Sequence, residues 1–265
     1  MKKIFLLLLF AAVLAISAFS LNSCIKDASN SDDTEETQST DTENSTEDKP
    51  NNGGASNLSK HKYGEFEYWL YSPDAAGHNL PLIVYLHDES DGGSGIDGMT
   101  QKEGLTKTLY EGGLNINAYI LIPNLTGVEK SWNQARSQLQ ELISHVSSAN
   151  STDPSRVYLT GVGMGATGVY EIAMAMPNSF AAFAPVGGRV AENADPEKLK
   201  DVKLLVYADA DIENPEAAAI MDFIFEVGRI NDRTEIFALE NYDSANYITL
   251  YSDMEYCLLE TLLGY

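Results

Sequence analysis

Cysteine, histidine and positive charge are scarce in this chain of 265 residues. Its two cysteines, Cys24 and Cys257, cannot form a disulfide framework within the fold, and Cys257 is expected to be an ordinary buried thiol. Lys and Arg number 17 against 39 Asp and Glu, so the net charge is −22. This charge argues against a nucleic-acid partner and against direct adhesion to anionic lipid headgroups. The chain has four histidines: His61, His78, His87 and His145.

The longest apolar run lies at the start of the chain, from Ile4 to Phe19, behind Lys2 and Lys3. Its length and flanking charges predict a secretory signal over residues 1–23 rather than a stable membrane span. The residues from Leu21 to Cys24 resemble the lipobox of bacterial lipoproteins, which implies lipidation of Cys24 and an anchor in the bacterial cell membrane. An ordinary cleaved signal and an uncleaved anchor are the alternatives. All three place the rest of the chain outside the cytoplasm.

Residues 24–57 contain almost no apolar side chains and are rich in Ser, Thr, Asp, Glu and Asn. Such a segment cannot bury enough surface to offset its conformational entropy. We therefore predict a disordered acidic tether between Cys24 and a single folded domain over residues 58–265.

Apolar or aromatic segments alternate with amphipathic ones throughout residues 58–265. Strands are predicted at 66–71, 80–86, 118–122, 157–160, 180–185, 202–208 and 234–239, and helices at 132–149, 166–176, 215–227 and 254–263. This alternation implies right-handed crossovers. The predicted fold class is therefore α/β, with a mostly parallel sheet and helices on both faces.

The segment from Asp153 to Gly168 joins a predicted strand to a helix and has the sequence DPSRVYLTGVGMGATG. It resembles the nucleophile elbow of the α/β-hydrolases, in the esterase and polyhydroxybutyrate-depolymerase-like branch, whose members typically have Asp-x-x-Arg-Val-Tyr-x-x-Gly-x-Ser-Met-Gly-Gly here. The resemblance extends upstream to the strand before His87, through residues 177–188, and on to Asp211, at the position of the family's catalytic acid. It implies the α/β-hydrolase fold and, for a member with all its catalytic residues, ester hydrolysis.

Two residues that this chemistry needs are missing. Gly163 stands at the position of the family's serine nucleophile; glycine suits the sharp turn, where we expect a positive φ, but it has no attacking group. The family's histidine follows the last strand, in a stretch that here contains no histidine and that aligns loosely at Ser244. Asp211 would then have no histidine to orient. We therefore do not expect serine hydrolysis at this position.

The oxyanion region also departs from the family. Asp88 replaces the glycine that normally follows His87, and the positions of Asp88 and Met164 correspond to the oxyanion site. Acyl transfer needs hydrogen-bond donors aimed at a developing negative oxygen, which a carboxylate would oppose. His87 is expected to support this loop, with a role as a relocated base as the alternative.

A crevice at the carboxyl ends of the strands is expected to remain without the catalytic residues. Ser94, Trp132, Gly188 and Tyr247 are expected to border it, and the two aromatic rings could stack on a sugar or another flat group. A small molecule, a glycan and a protein are the ligand classes considered. Neither a metal nor a cofactor is expected.

Three functions remain open at this stage. The preferred one is a surface-anchored lipoprotein whose inactive esterase-like domain acts in binding or interaction. The second is an active serine hydrolase with a rearranged site that uses Ser94 or Ser244 with His87. The third is a purely structural scaffold domain.

Overall fold

The computed structural model describes residues 57–74, 77–92, 95–125, 131–211, 213–239, 250–251 and 258–265. The predicted signal, Cys24 and nearly all of the predicted tether lie outside the described residues. So do four further residues singled out in the sequence: Ser94, Ser244, Tyr247 and Cys257.

Eight strands form one sheet: β1 (Leu58–Tyr63), β2 (Phe66–Tyr71), β3 (Leu82–Leu86), β4 (Tyr119–Asn124), β5 (Val157–Val162), β6 (Ala182–Val186), β7 (Leu204–Asp209) and β8 (Thr234–Leu239). Their order across the sheet is β1-β2-β4-β3-β5-β6-β7-β8. β2 is antiparallel to both of its neighbours, and all other neighbouring strands are parallel. The prediction of a mostly parallel sheet is confirmed.

The described helices cover both faces of this sheet. They are α1 (Glu89–Gly92), α2 (Gly95–Gly98), α3 (Leu105–Tyr110), α4 (Arg136–Asn150), α5 (Met164–Ala175), α6 (Pro215–Ile230) and α7 (Leu258–Leu263), with a 3-10 turn at Pro196–Leu199. One hydrophobic core contains buried residues of α4, α5 and α6, and the other contains those of α2, α3 and α7. Within the described part of the chain, no helix is long and apolar enough to cross a membrane.

The sequence of the central strand β3 is an uninterrupted apolar run because both faces of the strand are buried. Leu82, Val84 and Leu86 belong to one core, whereas Ile83 and Tyr85 belong to the other. A strand that is covered on both faces has no solvated side to carry polar residues. Because the carboxyl ends of parallel strands meet at one edge, the loops that follow β3, β5, β6 and β7 lie together there.

Candidate active site

Gly163 forms a sharp turn between β5 and α5. Its φ of 56° and ψ of −116° lie in a region that residues with side chains enter only at a cost. The expected positive φ is confirmed. Met164 begins α5 immediately afterwards, so the turn has the strand–turn–helix arrangement of a nucleophile elbow. The residue at its tip has no side chain.

Two neighbouring glycines allow the elbow to pack tightly against the end of β3. A Cβ at Gly161 would lie 2.7 Å from the carbonyl oxygen of Leu86, and a Cβ at Gly165 would overlap the same oxygen. Only glycine permits this approach of β5 and α5 to the backbone that leads into residue 88. The packing places the loop after β3 directly against Gly163.

Asp88 occupies the space above this turn. Its Oδ1 accepts a hydrogen bond of 2.7 Å from the backbone N–H of Met164. A Cβ built on Gly163 would lie 2.6 Å from the Asp88 carboxyl carbon and would overlap Oδ1. The carboxylate therefore fills the place of a residue-163 side chain and uses the N–H that, in the hydrolase family, faces the oxyanion.

The same contact stabilises the start of α5. Gly163 at the N-cap has no side chain to cap the helix, and the first N–H groups of a helix lack partners within it. A carboxylate at a helix N-terminus is favoured by both the hydrogen bond and the helix dipole. Asp88 thus acts as a cap supplied by a different element.

His87 is completely buried beneath this loop. The backbone N–H of Leu125 donates to its Nε2 at 3.0 Å. Since Nε2 is the acceptor, the ring proton is on Nδ1, which donates to the carbonyl oxygen of Asp88 at 2.6 Å. Both ring nitrogens therefore hold backbone segments together.

This environment makes His87 a poor general base. Burial lowers the pKa of His87, an effect only partly opposed by its hydrogen bond with Asp88. The neutral ring has one lone pair, and the Leu125 N–H already uses it. A hydroxyl would have to displace this contact before His87 could accept its proton, which weakens the hypothesis of a relocated base.

The structure corrects the expected position of Trp132. The side chain is fully buried, with no exposed surface. Its indole N–H donates to the carbonyl oxygen of His87 at 3.1 Å, and its ring meets the His87 ring edge-on at a centroid distance of 5.1 Å. It packs against Gly168 of α5, where a Cβ would lie 2.5 Å from its own Cβ. Trp132 supports the loop from within the core and cannot stack on a ligand.

Gly188 lies close beneath the elbow, after the end of β6. It has a φ of 80°, and a Cβ there would lie 2.9 Å from the carbonyl oxygen of Gly163 and 2.7 Å from the Cβ of Ala166. Gly187 also has a positive φ. The two glycines allow the chain leaving β6 to turn tightly against the first turn of α5.

Asp211 lies in the loop that follows β7 and is exposed. Its Oδ1 accepts a hydrogen bond from the backbone N–H of Glu213 at 2.9 Å, and its own N–H donates to Oδ1 of Asp209. These contacts build a local turn. Ser244, the position aligned with the family's histidine, lies outside the described residues.

The surroundings of Asp88 are acidic. Asp91 is 6% exposed, and burial raises its pKa, with a further contribution from Asp88 and an opposing one from Lys102. Burial also raises the pKa of Tyr85 well above its ordinary value, and the nearby Tyr251, Asp91 and Asp88 add to this effect. A developing negative oxygen would be disfavoured by the same charges. The described residues contain no cluster of three or more metal-binding side chains.

Sequence reasoning overlooked the end of β4. The backbone of Leu125 anchors His87, and the preceding Asn124 is 1% exposed. The sequence did contain a signal for this region. Asn124 is a polar residue at the end of an otherwise apolar strand, and it lies at the edge of the sheet where ligands bind in this class of fold. Asn124 also lines a cavity of about 220 Å³ at the start of α4.

Comparisons with known proteins bear on the fold of this chain. No family model matches the chain. It is 28% identical over 133 residues to poly(3-hydroxyalkanoate) depolymerase C of Paucimonas lemoignei, a match that covers 47% of this chain and only 32% of that protein.

Solved structures of hydrolases share the fold. A thermostable esterase superposes with a TM-score of 0.59 at 18% identity, covering 78% of this chain and 62% of its own. The S-formylglutathione hydrolase of Agrobacterium tumefaciens superposes with a TM-score of 0.54 at 15% identity, and the match covers 78% of this chain and 94% of the hydrolase. The feruloyl esterase module of Clostridium thermocellum superposes with a TM-score of 0.55 at 12% identity, and the match covers 75% of this chain and 87% of the module. The described part of this chain therefore has the fold of these α/β-hydrolases.

Proposed function

We propose that this chain is a lipid-anchored extracytoplasmic protein whose esterase-like domain does not hydrolyse esters and instead binds a ligand or partner. The observation that carries the proposal is the position of the Asp88 carboxylate. It accepts the N–H of Met164 and fills the space next to Gly163. One side chain therefore occupies the positions of both the nucleophile and the oxyanion.

Ester hydrolysis by this fold requires a nucleophile, a base within hydrogen-bond reach and unoccupied donors for the oxyanion. Gly163 supplies no nucleophile, and the ring nitrogens of His87 are both engaged. A tetrahedral intermediate at the elbow would place its negative oxygen against the carboxylate of Asp88. The elbow does not meet these three requirements, which argues against turnover.

The first prediction is that the full chain hydrolyses p-nitrophenyl acetate and butyrate no faster than buffer at neutral and mildly alkaline pH. Water attack on these esters needs activation that the elbow cannot provide. The Asp88→Ala variant is the matched control, because opening the oxyanion site without adding a nucleophile should also give no turnover. An enzyme-dependent rate that saturates with substrate would contradict the proposal.

The second candidate function is an active ester hydrolase with a rearranged site. It is favoured by the similar proteins, which include a poly(3-hydroxyalkanoate) depolymerase and esterases. It needs a hydroxyl and a base other than those at the elbow. Release of soluble hydroxyacids from poly(3-hydroxybutyrate) by the full chain would support this candidate over the first.

The anchoring part of the proposal depends on the lipobox-like residues from Leu21 to Cys24 and on the acidic segment that follows. A diacylglyceryl group has two acyl chains, and two chains hold a protein at a membrane far more firmly than one. The acidic segment would hold the domain clear of the membrane surface.

We expect Cys24→Ala to release the protein from the membrane fraction or to leave it unprocessed. Cell fractionation followed by immunoblotting measures this directly, with Ser29→Ala in the neighbouring segment as the control that should remain membrane-bound. Retention of a normally processed Cys24→Ala protein would show that lipidation is not the anchor.

A further inference from the structure

We draw no further inference here: the strongest candidate, the open groove between Tyr63 of β1 and the face of α4 around Ser144 and His145, carries none because nothing in the structure shows what covers it.

Discussion

Gly163→Ser should lower the free energy of unfolding by about 2–4 kcal/mol and should leave the chain inactive. A side chain at φ 56° carries backbone strain of about 1–3 kcal/mol. The new Cβ would also overlap Asp88 Oδ1, so the carboxylate would have to leave the Met164 N–H, and a hydrogen bond to a charged group contributes about 1.5–3 kcal/mol. Equilibrium urea denaturation of the native and variant chains measures the difference.

Asp88→Ala provides the matched control for this substitution. It removes the carboxylate that residue 163 would overlap, so Gly163→Ser in the Asp88→Ala background should cost about 1–2 kcal/mol less than it does in the native chain. The double-mutant cycle isolates the contact between the two positions. Additive effects of the two substitutions would contradict the placement of Asp88 over the elbow.

Trp132→Ala should be more damaging still, with a loss of about 3–5 kcal/mol in the free energy of unfolding. The side chain is fully buried, and its indole N–H pairs with the carbonyl oxygen of His87. Removing it leaves a cavity against Gly168 of α5 and an unpaired carbonyl beneath the Asp88 loop. Thermal or urea unfolding followed by circular dichroism measures the loss.

Trp132→Phe separates the contribution of the buried volume from that of the indole hydrogen bond. It retains much of the buried volume and loses the hydrogen bond, so we expect a smaller loss of about 1–3 kcal/mol. A ring at an open crevice would behave differently, because truncation there changes ligand binding while stability changes little. Unchanged stability in Trp132→Ala would contradict the buried position.

The fold could be predicted because several local signals agree. β3 and β5 are apolar on both faces since helices cover both sides of the sheet, and the glycines around residue 163 indicate the close approach of β5 and α5. β1 was not predicted. It is an edge strand with five of its six residues exposed, so it lacks the apolar pattern by which buried strands are recognised.

The site was predictable in its composition but not in its contacts. The sequence shows that residue 163 has no side chain and that an acidic residue follows His87. It does not show that the Asp88 carboxylate turns inward to cap α5, because that depends on how closely β3 and the elbow pack. For Trp132, the sequence suggested a ligand contact that the structure does not show. An aromatic residue in a loop near the sheet edge suggests a ligand contact, but its direction is set by the space beside Gly168 and by the carbonyl of His87.

The packing residues of the elbow are present although residue 163 has no nucleophilic side chain. Gly161 and Gly165 still allow the backbone approach that an elbow needs, and His87 and Trp132 still hold the loop above it. These residues are required for packing whether or not the domain is catalytic. The Asp88 carboxylate accepts a hydrogen bond from the Met164 N–H, which would otherwise face solvent at the N-terminus of α5.

Treatment of the full chain with a serine-directed fluorophosphonate, followed by intact-mass spectrometry, tests the proposed inactivity of the elbow most directly. This reagent phosphonylates a serine whose hydroxyl is activated by a neighbouring base, with loss of fluoride, and it does so without requiring the natural substrate. The account predicts an unchanged mass, because residue 163 has no hydroxyl and the lone pair of His87 already accepts the N–H of Leu125. Stoichiometric addition of one phosphonyl group to a serine would contradict it and would establish a rearranged, active hydrolase.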